Sequence, residues 1–363
     1  MHIAFDARSV TPHFPGIGRY GSGMTQALAG RDDVRLILLV DPRIWDTFYE
    51  LPDFPGVERT SAPYSPSGPE QQWAIPALLR SAAVDVYHSP YYLMPYWPGR
   101  PAVVTLHDLI PLRVPGSHSA PFRSIYRWTH HLAARAARRI IAPSEATAAD
   151  LVELGVGRDK IVVVPEGVGP EFAPRSAAEV AAVRARYELP DTFALYVGTN
   201  KPHKNLARLI EAWAGLQPAW PLVVAGGEDS RQPGARELGA RYGVPVTALG
   251  SVSNNDLPVL YTAASLCILP SLYEGFGLPV IEAMACGAPV LCSNTSSLPE
   301  IVGAAALLFD PRDVEQIRAA VRRAIGDPDL RRELSARGRT NAAQYTWARA
   351  AEQTVQVYRE ALG

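Results

Sequence analysis

Two carboxylates eight positions apart, Glu274 and Glu282, lie in the stretch SLYEGFGLPVIEAMACGAPVL, residues 271–291. An apolar run ends at Pro270, Gly275 and Gly277 follow, and a helical pattern begins at Leu278. Glycines there let backbone amides approach a ligand, and a helix N-terminus favours an anionic group. Glu274 and Glu282 can then face one crevice, one reading hydroxyls and the other nearer a reacting group. The plain alternative is a strand–loop–helix with two solvated glutamates that suit the helix dipole. Lys204 opens another helical pattern, 203–215, where its charge opposes the dipole. That misfit favours a functional lysine over a solvated one.

Other candidates have weaker patterns. His107 and Asp108 end the apolar run AVVTLHD; His107 is a candidate for chemistry, and Asp108 reads as orienting its loop. Gly16, Gly18 and Gly21 match G-x-G-x-x-G, with Asp41 at a later strand end. A dinucleotide fingerprint needs its first glycine directly after the strand, yet residues 8–15 intervene here. Residues 109–144 hold six arginines and no Asp or Glu. There the periodicity predicts a helix with Arg123, Arg127 and Arg138 on one face, and Ile125, Trp128, Leu132, Ala136 and Ile140 packed on the other. That basic face reads either as a solvated surface or as a patch for anionic lipid or a lipid-diphosphate acceptor. Asp327-Pro328-Asp329 sits between helical patterns rather than at a strand end, so it reads as a helix cap and no metal site is expected.

The elements that must position these residues alternate. Short apolar runs at 2–5, 34–40, 84–89, 102–108, 138–144 and 161–168 read as buried strands, as do those at 193–198, 221–227, 246–250, 265–270, 288–293 and 306–310. Helical patterns lie between them, including 255–264 and 278–286. This is the α/β signature of doubly wound parallel sheets, whose ligands sit beyond the carboxyl ends of the strands. Gly and Pro at 169–174 mark a boundary. The expected division is 1–168, 169–345 and a last helical segment, 346–363.

Composition limits the function. A chain of 363 residues suits two domains. Lys+Arg 35 against Asp+Glu 36 gives a net charge of -1, which leaves no basic field to recruit nucleic acid. Cys267, Cys286 and Cys292 are an odd set without metal-ligand spacing, which predicts reduced thiols and, with a start that lacks a signal-peptide pattern, a cytoplasmic chain. The 33 prolines are scattered and read as loop ends rather than disorder.

Taken in order, HDLIPL, IIAPSEATAADL, IVVVPEGV, YVGTNKPHKNLARLIEAW, ALGSVSNNDLPVLYTAA, the segment around Glu274 and Glu282, SNTSSLPEIVGAAALLFDP and YTWARAAEQTVQVYREAL resemble the retaining nucleotide-sugar glycosyltransferases of family 4. The nearest branch is the bacterial mannosyltransferase-like one that builds surface polysaccharides. The resemblance implies a GT-B fold: two Rossmann-like domains facing a central cleft, acceptor side first, nucleotide sugar second, with the last helix crossing back. It implies that Glu282 holds the donor ribose, that Glu274 lies near the sugar, and that Gly275, Phe276, Gly277 and Leu278 surround sugar and phosphates. Lys204 would meet the diphosphate and His107 the donor sugar; Gly16 and Gly18 would cover the phosphates or join the acceptor site. Thr199 stands where relatives often carry an arginine, with Lys201 or His203 as substitutes. The implied reaction moves a hexose, with retention and without metal or other cofactor, from a nucleoside-diphosphate sugar, GDP-mannose first, to a saccharide or lipid-linked hydroxyl. Peripheral contact with an anionic membrane goes with such an acceptor. The competing readings are an NAD-dependent oxidoreductase using Gly16, Gly18 and Gly21, a sugar-nucleotide epimerase on a similar scaffold, and a binding protein without turnover.

Overall fold

A computed structural model describes the chain except for residues 12–13, 44–48, 54–55 and 217–219. It divides into two compact units, Met1–Gly167 with Thr346–Gly363, and Val168–Tyr345. Within the second unit, Val168 donates its N–H to the carbonyl of Tyr345 at 3.0 Å.

The first unit is built on seven parallel strands: β1 (His2–Asp6), β2 (Arg35–Val40), β3 (Val57–Ser61), β4 (Val86–Ser89), β5 (Ala102–Thr105), β6 (Arg139–Ala142) and β7 (Ile161–Val163). Their order is β3-β2-β1-β4-β5-β6-β7. Continuous apolar runs such as RLILLV make strands that are covered on both faces, which is what parallel sheets require. The helices Pro15–Ala29 and Trp347–Leu362 cover one face, packing Tyr20, Met24, Val355 and Tyr358 on Phe5, Leu38 and Val103. Gly23 permits this, because a Cβ there would stand 2.2 Å from the Trp347 ring. The opposite face is covered by the helices Gln71–Ser81, Ala120–Ala136 and Glu145–Glu153.

Three expectations change here. Val57–Ser61 forms an edge strand that the sequence reading omits. Gly16, Gly18 and Gly21 lie inside the helix Pro15–Ala29 rather than in an open loop. A Cβ on Gly18 would meet the Tyr49 ring and one on Gly21 would meet Val10, so both serve close packing. The helix Ala120–Ala136 buries Tyr126, Thr129, His130, Ala133 and Ala134. Ile125 and Trp128, expected inside, are 62% and 61% exposed.

The second unit has six parallel strands: β8 (Ala194–Val197), β9 (Leu222–Ala225), β10 (Val246–Gly250), β11 (Leu266–Leu269), β12 (Val290–Ser293) and β13 (Leu307–Phe309), ordered β10-β9-β8-β11-β12-β13. Chain direction across the sheet reverses between β8 and β11, as it does between β1 and β4 in the first unit. The α/β class of two doubly wound parallel sheets is therefore as expected, and each reversal opens a crevice at the carboxyl ends of its central strands. No helix among the described residues is long and apolar enough to cross a membrane. Cys267, Cys286 and Cys292 are free and buried.

Candidate active site

β8 and β11 are neighbours, and the loop after each carries a candidate residue. After β8 the chain makes a tight turn, Pro202–Lys204. Asn205 then adopts a left-handed conformation, φ 58°. Its side-chain amide donates to the carbonyls of Pro270 at 3.0 Å and Pro311 at 2.7 Å, which ties this turn to the end of β11. Leu272 N–H donates to the His203 carbonyl at 2.7 Å and adds a second tie. The helix Leu206–Ala214 follows.

These ties bring Lys204 to Glu274. Lys204 Nζ donates to both carboxylate oxygens, at 2.7 and 2.9 Å, and Ser271 Oγ donates to Oε1 at 2.6 Å. Glu274 is buried, not solvated. Burial alone pushes its carboxyl up, but the charges of Lys204 and His203, with hydrogen bonds from Lys204 and Ser271, outweigh that and hold it below the usual carboxylate range. Glu274 is therefore a fixed anion.

The loop that carries Glu274 is held from a neighbouring turn. Ser296 Oγ accepts the Glu274 N–H at 2.8 Å. Ser297 Oγ bonds the carbonyls of Glu274 and Phe276, at 3.0 and 2.8 Å. Phe276 is buried edge-on against Tyr345, with ring centres 5.6 Å apart. Gly277 sits at φ +109°, a backbone conformation reserved for glycine, and starts the helix Leu278–Ala285 with no side-chain cap. Gly277 offers that helix start no side-chain cap, and backbone amides at such a start suit an anion. Gly275 lies between the pinned Glu274 and Phe276. Leu278 is buried in the second unit's core.

Glu282, in the second turn of that helix, is also buried. Its Oε2 accepts from Tyr261 Oη at 3.1 Å. Thus Glu274 is engaged by Lys204 and Ser271, while Glu282 is engaged from the helix Asp256–Ala263. Neither is one of the solvated glutamates of the plain alternative. The Thr199 hydroxyl is buried without a partner among the described residues, and the Thr199 carbonyl accepts from Tyr196 Oη at 2.7 Å.

In the first unit, His107 follows β5. Its Nδ1 lies 2.9 Å from Glu166 Oε1 and its Nε2 lies 3.2 Å from the Pro90 carbonyl. Both ring nitrogens are therefore engaged, which fixes the orientation of the imidazole. The edge of Tyr20 meets the His107 ring at 4.7 Å. Asp108 Oδ1 accepts the Ile110 N–H at 3.0 Å, which fits a loop-orienting part.

The sequence reading missed Glu166, 59 positions from His107 in the chain, and the two serines that hold the Glu274 loop. It missed as well a buried cluster at β1 and β4, where Arg8 grips Asp6 through Nε at 2.7 Å and Nη2 at 2.6 Å and Tyr87 Oη donates to Asp6 at 2.5 Å. Asp6 and Arg8 stand two apart at a strand end, a spacing visible in sequence.

The expected basic face is not assembled as drawn. Arg138 lies beyond the helix end and donates Nη1 to the Ala361 carbonyl at 2.9 Å, while Arg123 and Arg127 remain on the helix. Asp327 caps the helix Pro328–Ala342 by accepting the Leu330 N–H at 2.9 Å.

Residues 183–341 match the model of glycosyl transferases group 1, and residues 15–172 match that of glycosyltransferase family 4. The O-antigen chain mannosyltransferase B of Escherichia coli is 36% identical over 80% of this chain and 77% of its own. The serotype-specific mannosyltransferase WbdA of E. coli is 36% identical over 70% of this chain, and the match spans only 33% of that longer protein. The solved sucrose-phosphate synthase of Thermosynechococcus elongatus superposes with a TM-score of 0.79 at 25% identity, covering 99% of this chain and 98% of its own. The chain has the GT-B fold and belongs to the family 4, group 1 glycosyltransferases.

Proposed function

We propose that this glycosyltransferase moves a hexose, mannose first among the candidates, from GDP-mannose or a related nucleoside-diphosphate sugar to a hydroxyl of a saccharide or lipid-linked saccharide. The observation that carries the reading is the Lys204–Glu274 pair beside the uncapped helix start at Gly277. The mannosyltransferase relatives favour mannose over other hexoses. In the step, the bond from the anomeric carbon to the diphosphate oxygen breaks and the diphosphate departs with the electron pair. The acceptor oxygen bonds to the same carbon, and its proton passes to the departing phosphate oxygen. Lys204 and the amides of Gly277 and Leu278 stabilise the leaving charge, a demand met by preorganised donors. Glu282 reads the ribose, Glu274 flanks the sugar, and His107 is assigned a contact with the sugar. Retention of configuration and a role at the cytoplasmic side in surface polysaccharide synthesis follow the family.

Thermal unfolding with GDP, UDP, ADP, TDP and NAD tests the donor class, because selective stabilisation reports binding to the folded state. GDP is expected to stabilise most. Transfer of mannose to a mannose-containing oligosaccharide is then followed by product NMR, which reads the anomeric configuration. The same yield is expected in the presence of a chelator. Stabilisation by NAD alone, or product only after magnesium or manganese is restored, overturns the proposal.

A further inference from the structure

Four buried polar groups form one chain through the core of the first unit. Tyr358 Oη, on the helix Trp347–Leu362, lies 2.6 Å from His88 Nδ1. His88 Nε2 lies 2.8 Å from Thr105 Oγ1, and Thr105 Oγ1 lies 2.8 Å from Tyr20 Oη. His88 stands on β4, Thr105 ends β5, and Tyr20 is carried by the helix Pro15–Ala29. All four are 1% exposed or less, among Phe5, Met24, Val103 and Val355.

Thr105 Oγ1 is the shared atom. A hydroxyl donates once and accepts twice, so it serves Tyr20 and His88 together, and its loss strands both in an apolar layer. Buried polar groups cost stability unless they are satisfied. What a fully joined set supplies beyond an apolar one is fixed geometry.

The geometry fixed here is that of the Tyr20 ring. Its centre lies 4.7 Å from that of His107, with the two planes 79° apart. Glu166 and the Pro90 carbonyl hold the two ring nitrogens of His107. Those contacts leave the imidazole free to rock about the line that joins them, and the Tyr20 ring beside it blocks that motion. Tyr20 is gripped a second time by the Trp347 ring, 5.9 Å away at 76°. Both holds trace to one helix, whose first residue packs on Tyr20 directly and whose Tyr358 reaches it through His88 and Thr105.

We propose that Tyr20 is a positioning residue for His107, and that the helix Trp347–Leu362 sets it through Trp347 on one side and through Tyr358, His88 and Thr105 on the other. The effect on transfer rests on the reading that His107 meets the sugar, whereas the placement of its ring does not.

Thr105→Val deletes the shared hydroxyl at nearly constant volume, and Thr105→Ser restores it. The imidazole NMR resonances of His107, assigned among the eight histidines by comparison with His107→Gln, report where its ring lies, because an adjacent aromatic ring shifts them. In Thr105→Val these resonances move, kcat falls about tenfold and affinity for nucleoside diphosphate stays at the parent value. Thr105→Ser returns the resonances and most of kcat. Tyr20→Phe keeps the ring but cuts its tie to Thr105, and gives the same pattern at smaller amplitude. Circular dichroism shows that each variant is folded. His107 resonances at their parent positions in folded Thr105→Val and Tyr20→Phe overturn the proposal. So does a loss of rate in His107→Gln beside parent rates in both folded variants, which leaves the reading of His107 intact. A parent rate in His107→Gln overturns that reading instead, while the resonances still decide where the ring is held.

Discussion

Lys204 Nζ contacts both carboxylate oxygens of Glu274 across 70 positions of sequence, at 2.7 and 2.9 Å. The contact exists because β8 and β11 flank the point where the sheet reverses its winding, so two loops remote in the chain share one crevice.

Breaking this pair from the lysine side leaves a buried carboxylate alone. Lys204→Met is therefore expected to destabilise the protein by about 3–5 kcal/mol at neutral pH, read from denaturant midpoints. The sign of its pH dependence follows from the depressed Glu274 carboxyl. The pair's stabilisation is complete above the ordinary carboxylate pKa and is lost as pH falls through the lowered folded value. The gap between parent and Lys204→Met should narrow in acid, and a gap that stays constant would show that the pair adds no stability.

The two glutamates separate by what each is expected to touch. Glu282→Ala should weaken free nucleoside diphosphate by about 10–150-fold, the loss of charge-assisted hydrogen bonds worth roughly 1.5–3 kcal/mol, and raise the donor KM with a smaller change in kcat. Glu274→Ala should lower kcat and leave diphosphate affinity nearly intact. Calorimetric titration beside steady-state kinetics reads both, and the reverse pattern would exchange the roles.

His88 and His130 are held neutral by burial, each with its pKa lowered to about 3. His88 Nδ1 and Nε2 face Tyr358 Oη at 2.6 Å and Thr105 Oγ1 at 2.8 Å. An unfolded histidine takes up a proton below about 6.5, so the fold loses stability as pH drops through that value, about 2 kcal/mol per site between pH 7 and pH 5. His88→Gln should flatten part of that slope in thermal melts. An unchanged slope would mean that His88 is protonated in the fold.

Glu166 is expected to act through His107 as a positioning residue. Glu166→Ala removes the partner of Nδ1 and frees the ring to turn. The variant should lower kcat with the donor KM and the melting temperature nearly unchanged, and Glu166→Gln, which keeps a hydrogen-bonding oxygen, should restore part of the loss. Kinetics of both variants identical to those of the parent would confine Glu166 to scaffolding.

The central strands were legible because apolar runs such as LVVA and LCIL have no reading other than burial. The edge strand Val57–Ser61 was not, since its side chains alternate without a continuous apolar run. In the helix Ala120–Ala136 the large side chains misled: the row turned inward is Tyr126, Thr129, His130, Ala133 and Ala134, mostly small or polar. A rule that sends tryptophan inside picks the wrong face there, because close packing on the sheet favours alanine. The Glu274–Gly277 turn was visible as glycine beside carboxylate at a strand end. Its link to Lys204 depends on which strands adjoin, and spacing along the chain does not encode that.

The hydrogen bond from Val168 to Tyr345 means that residues 168–345 start and finish at a single spot on their own surface. To the rest of the chain this stretch is one long insertion, and the elements on either side, β7 and the helix Trp347–Leu362, belong to the same unit. Segments whose ends meet in this way tolerate transplantation. Excision of this cassette, cut before Val168 and after Tyr345, would carry the Lys204–Glu274 pair along intact while His107 and Glu166 stayed with the first unit.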